Sequence, residues 1–134
     1  MNKIHYNQHP QFFLFIKLNG IFSLTCAIAI FITANQLPSW LNLYNTDSYN
    51  FLAVCLTLFA ARLFWIAKAK TVYKLEAWAI VIGDLAWVAG SAILLITDKQ
   101  MSQLGFWAVD IVAICVLIFA LGQARGLILK PEHC

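Results

Sequence analysis

The sequence predicts an all-α integral membrane bundle of four transmembrane helices, with both termini on the cytoplasmic side. Three observations carry that expectation. The 134 residues are 62% hydrophobic and only 11% charged, too little polar surface for a soluble domain of this length. Four long apolar runs occupy most of the chain, and about 20 apolar residues span a bilayer as a helix. Eight of the nine lysines and arginines fall on one side of a four-span threading, with only Lys99 on the other, and cytoplasmic loops carry the excess of such residues. Residues 1–134 therefore read as one transmembrane domain in a bacterial inner membrane. No basic tract supports nucleic-acid binding.

Residues 1–11, MNKIHYNQHPQ, precede the first apolar run. His5 and His9 have a four-residue spacing that suits a metal on a helix. Pro10 disfavours helix at His9, so the segment reads as a solvated tail. The first span is expected over Phe12–Ala34. A secretory signal is the rival reading, but the run is longer than the usual 7–15 residues or so and no small-x-small cleavage site follows. Lys17 and Asn19 interrupt its first turns. Lys17 lies roughly 9 Å deep by helical rise, within reach of the interface for its long stem.

Residues 35–50, NQLPSWLNLYNTDSYN, form the longest connection, marked by Pro38 and by Asn, Ser and Asp. Trp40, Leu41, Leu43, Tyr44 and Tyr49 read as interfacial anchors. A short surface helix over Ser39–Tyr44, or a lid over a ligand, would also fit. The second span, Phe51–Ala67, carries Arg62 and ends in AKAKTVYK.

The third span, Ala77–Thr97, carries the ionisable residue on which the site reading turns, Asp84. A carboxylate at such a position costs about 2.5 to 3.5 kcal/mol on insertion scales and usually faces protein. Gly83, Asp84, Trp87, Gly90, Ser91 and Leu94 recur at three- and four-residue steps and are expected to share a face. The small residues Gly83, Gly90 and Ser91 would let a second helix approach. After the polar turn TDKQMSQ comes the fourth span, Leu104–Gly122, with Asp110 near its start, and then a tail from Gln123.

By helical rise, Asp84 lies roughly 12 Å from the cytoplasmic edge, and Arg62 roughly 9 Å. The expectation is an Arg62–Asp84 ion pair between the second and third spans, with Lys17 and Asn19 nearby and the Trp87 N–H directed at Asp84 or a backbone carbonyl. Pairing offsets the desolvation of both charges. Asp110 lies roughly 9 Å below the opposite edge, with no basic residue at its depth. Trp40, Tyr44 or Thr25 would supply its hydrogen bonds, or it would stay near water. The cluster either fixes helix register or makes Asp84 a proton or cation station, with Asp110 as a second one.

No nucleophile elbow, phosphate loop or HExxH is found. All three histidines, His5, His9 and His133, lie in tails, so haem ligation between spans is not available to a single chain. No catalytic, cofactor or metal site is expected. Cys26, Cys55 and Cys115 lie within apolar runs and no CxxC pair exists, so the cysteines read as packing residues.

GDLAWVAGSAILL, residues 83–95, followed by a short turn and LGFWAVDIVAICVLIFALGQARGL, residues 104–127, resembles a set of small bacterial inner-membrane proteins of unknown function. The resemblance covers roughly the C-terminal half and implies four-span architecture but no activity. Small multidrug-resistance transporters share the size but are marked by a glutamate in the first span, where this chain has Lys17. The function expected is that of a non-enzymatic accessory, assembly or protective protein, working through contacts with the bilayer, with other membrane proteins or with itself. The alternative is a small oligomeric, proton- or cation-linked transporter or channel using Asp84 and Asp110. A membrane redox or lipid enzyme is a third, weaker reading.

Overall fold

The computed structural model describes residues 2–41 and 45–129. In chain order the elements are β1 (Lys3–His5), α1 (Pro10–Thr33), α2 (Leu37–Leu41), α3 (Thr46–Ala69), β2 (Thr71–Tyr73), α4 (Lys74–Thr97) and α5 (Gln103–Ile128). Helices α1, α3, α4 and α5 are long and apolar enough to cross a membrane. They form the all-α bundle that the sequence predicts. The main packing pairs are α1 with α3, α4 with α5, and α1 with α5.

Capping chemistry sets the helix ends, and three helices outrun their apolar stretches. Pro10 opens α1, where its missing N–H is not needed. Asn45 caps α3 by accepting from the Ser48 N–H at 3.0 Å, and Asp47 in the first turn complements the helix dipole. Helix α3 therefore starts five residues before the apolar run at Phe51. Lys70 closes it in the left-handed conformation, with φ 58°, and donates its N–H to the Ile66 carbonyl. The Ser102 hydroxyl oxygen caps α5 by accepting from the Gly105 N–H at 3.1 Å. That helix continues through Gln123 to Ile128, so the expected tail belongs in part to the bundle.

The N-terminal segment is not a free tail. Lys3–His5 pairs antiparallel with Thr71–Tyr73, in the register Lys3↔Tyr73, Ile4↔Val72 and His5↔Thr71. Paired side chains share a face, so Ile4 and Val72 point together into the bundle and are buried. They close a core made by Phe12, Phe13 and Ile16 of α1, Leu63 and Ile66 of α3, and Ala77 and Ile80 of α4. The alternation in KIH and TVY is the sequence signal for this ribbon, though three residues are too few to read alone.

At the same end α1 and α5 meet closely. A Cβ added to Gly126 would lie 2.5 Å from the Phe12 backbone nitrogen, and one added to Gly122 would lie 2.5 Å from the Phe15 ring. These glycines are four apart, the small-xxx-small spacing that lets helix backbones touch. His9 Nδ1 lies 2.8 Å from the Gly126 carbonyl oxygen; a protonated Nδ1 donates there and ties the start of α1 to the end of α5. At the opposite end α2 lies over α5, with the Ser102 hydroxyl donating to the Trp40 carbonyl. Helix α2 begins two residues earlier than the expected Ser39. Tyr49 is buried rather than interfacial. Leu43 and Tyr44 lie outside the described residues.

Candidate functional site

The buried polar and charged residues among those described are four: Asn19, Ser23, Asp84 and Gln123. They gather from α1, α4 and α5 into one cluster. Asn19 Nδ2 donates to Asp84 Oδ2 at 2.7 Å, and the Ser23 hydroxyl donates to Asn19 Oδ1 at 3.2 Å, one turn along α1. Asp84 retains 6% of its surface exposed and Asn19 only 1%. Gln123 is fully buried and neighbours the Asp84 carboxylate. Neither of its amide atoms comes within hydrogen-bonding geometry of another described group.

Helical periodicity assembles the cluster. On α4 an inward seam runs Ala77, Val81, Asp84, Val88 and Ser91, at alternating four- and three-residue steps, with Ile80 buried beside it. On α5 the buried stripe runs Ala113, Val116, Ala120, Gln123 and Gly126. Gln123 thus continues an apolar seam. Ending the span at Gly122 hides it, whereas carrying the three-four stepping one turn further would reveal it.

The structure joins Asp84 to Asn19, expected only to lie nearby, and builds the rest of the cluster differently. Arg62 does not reach Asp84. Its Nε and Nη2 grip the Glu76 carboxylate at 2.6 and 2.8 Å, between α3 and the first turn of α4. The physical reason is depth. Glu76 lies eight residues nearer the helix start than Asp84, about 12 Å along the axis, where a guanidinium stays hydrated while paired. Lys17 points outward from α1. Trp87 is 38% exposed on the outer side of α4, one position off the inward seam.

The small residues of α4 also divide. Ser91 is half-buried on the Asp84 side, but a Cβ added to Gly83 or Gly90 would meet nothing within 4 Å. Within the chain, close helix approach occurs instead at Gly122 and Gly126, and at Gly20, where an added Cβ would lie 3.2 Å from the Phe64 ring. Asp110 is half-buried on α5, thirteen residues before Gln123 and so about 20 Å from it along the axis. Thr25, one partner considered for it, donates to its own helix at Ile21. Asp84 and Asp110 accordingly lie at different depths of the bundle.

Chemically, the cluster is a carboxylate that accepts from the Asn19 amide, which in turn accepts from the Ser23 hydroxyl. The chain matches no protein-family model, no curated protein and no solved structure.

Proposed function

We propose that this chain is a non-enzymatic accessory, assembly or protective protein of a bacterial inner membrane, acting through helix contacts with other membrane proteins or with a second copy of itself. The observation that carries this reading is the closure of Asp84 within one chain. The residue is 6% exposed, and its carboxylate accepts from Asn19 and is set against Gln123. A carboxylate so enclosed fixes the mutual register of α1, α4 and α5. That leaves the outward faces for interaction, notably the open surface around Gly83, Trp87 and Gly90 on α4.

The threading with both termini cytoplasmic is supported by charge. Lys3, Lys68, Lys70, Lys74 and Arg125 all sit at the ribbon end, and Lys99 at the other. One observation favours a second, transport reading. The Gln123 amide beside a buried carboxylate offers oxygens that a proton or small cation could use.

Reconstitution into liposomes tests the two together. Proton, sodium and potassium flux should equal that of protein-free vesicles, while a photo-crosslinker at Gly90 should yield one discrete adduct in cells. Flux that Asp84→Asn abolishes would overturn the accessory reading and establish transport.

A further inference from the structure

The ribbon has an outer face as well as a buried one. Opposite Ile4 and Val72, the register places Lys3, His5, Thr71 and Tyr73 together on the side away from the core. The Lys3 ammonium lies 5.0 Å from the centroid of the Tyr73 ring, over its face. Beside this face Asn2, Tyr73, Lys74, Leu75 and Trp78 line an open groove of about 390 Å³. A backbone bond from the Lys74 N–H to the Asn2 carbonyl at 3.0 Å joins its two walls.

Two features define what fits. The first is charge. None of the lining residues is acidic, Lys74 is one of them, and Lys3 stands on the rim through Tyr73. The nearest acid in sequence, Glu76, is already held by two Arg62 nitrogens. The second feature is polarity. Apart from its lysine and asparagine the wall is aromatic and aliphatic, and it opens along the first turns of α4 where that helix enters the membrane. Leu75 is 82% exposed there. A free anion would use only the lysines. An amphiphile with an anionic head and an apolar tail uses the whole surface.

We propose that this groove binds one anionic phospholipid of the leaflet at the ribbon end. Its phosphate and headgroup sit between the Lys3 and Lys74 ammonium groups. The glycerol region lies against Tyr73, and the first carbons of an acyl chain run over Leu75 and Trp78. The lipid would cover the seam between the N-terminal strand and α4, two segments far apart in sequence.

The test uses the full chain in mild detergent, exchanged against equal amounts of phosphatidylglycerol and phosphatidylcholine with identical acyl chains, and read by native mass spectrometry. One phosphatidylglycerol should be retained, with a preference on the order of tenfold, since a lysine near an anionic surface contributes about fivefold before screening and two lysines face the headgroup. The double variant Lys3→Gln with Lys74→Gln should bind both lipids equally. Trp78→Ala should weaken both, and Lys99→Gln at the opposite end should change neither. Equal retention by the native chain, or a preference that survives the double variant, overturns the proposal. Displacement by inorganic phosphate assigns the groove to a free anion and overturns it as well. If the double variant does not fold, the native preference must still collapse at high ionic strength, and a salt-independent preference sinks the idea.

Discussion

The two ends of the bundle are built differently. At the ribbon end, residues from β1, α1, α3, β2 and α4 converge on a continuous core, and the polar cluster lies just beyond it. Backbones of α1 and α5 approach there closely enough that only glycine fits at Gly126. At the other end Ala27, Tyr49 and Ala53 of α1 and α3 stay buried, but α4 loses its cover. Beyond Asp84, helix α4 has no fully buried residue through Thr97, and its inward side is only half-covered. One half of α4 is thus committed to its own fold, and the other retains surface for something else. In a membrane, where lipid is as apolar as leucine, such commitment depends on close packing and hydrogen bonds rather than on hydrophobicity alone.

Substitutions can break or sharpen this contrast, most strongly at the closed end. Gly126→Val forces a branched side chain into the Phe12 backbone and should cost about 3 kcal/mol or more in reversible unfolding, or prevent accumulation of folded protein. Ile16→Ala in the same core should cost about 2 kcal/mol, whereas Ile93→Ala on the exposed part of α4 should stay within about 0.5 kcal/mol. Equal effects of these last two would remove the contrast.

The polar cluster should respond at an intermediate level. Asp84→Leu leaves the Asn19 donor buried without its acceptor and should cost about 2 kcal/mol. Asp84→Asn keeps an acceptor and should cost less than about 1 kcal/mol. A double-mutant cycle between Arg62 and Asp84 should give no coupling, while the cycle between Arg62 and Glu76 should give up to about 1 kcal/mol, as half-exposed pairs do. Rescue of Asp84→Leu by removing Arg62 would contradict the observed pairing.

The smallest effect is expected at the open end. Gly90→Ala should stabilise the isolated chain by roughly 0.5 kcal/mol, since Ala is the better helix former and nothing occupies the space. If a partner helix seats there, the same change should weaken the crosslink formed from that face while leaving the isolated chain's stability gain intact.

The site was legible in part. A lone carboxylate in an apolar run announces itself as Asp84 does, and its neighbour Asn19 stands out for the same reason. Gln123 does not, because it follows the glycine at which the apolar run was ended and precedes Arg125. Arg62 misleads, because depth alone makes Asp84 a plausible partner. Glu76, at the helix start, competes successfully by giving the guanidinium a bidentate acceptor nearer water. Gly83 and Gly90 mislead because small residues mark contact only when something else makes their face an inward one.

From its sequence alone the protein was determined to be a four-span helical bundle, because the length and apolarity of its runs leave little other choice for buried backbone. Local chemistry at Asn45, Ser102 and Pro10 likewise marks where helices begin. Only the tertiary structure decided which side chains meet. Partner choice depends on the rotation of each helix about its axis to within one residue, about 100°, and on relative depth to within one turn. Periodicity proposes a face for each helix by itself, and packing of one helix on the others selects it. That selection turns Asp84 toward Asn19 and Gln123, Trp87 outward, and Arg62 toward Glu76.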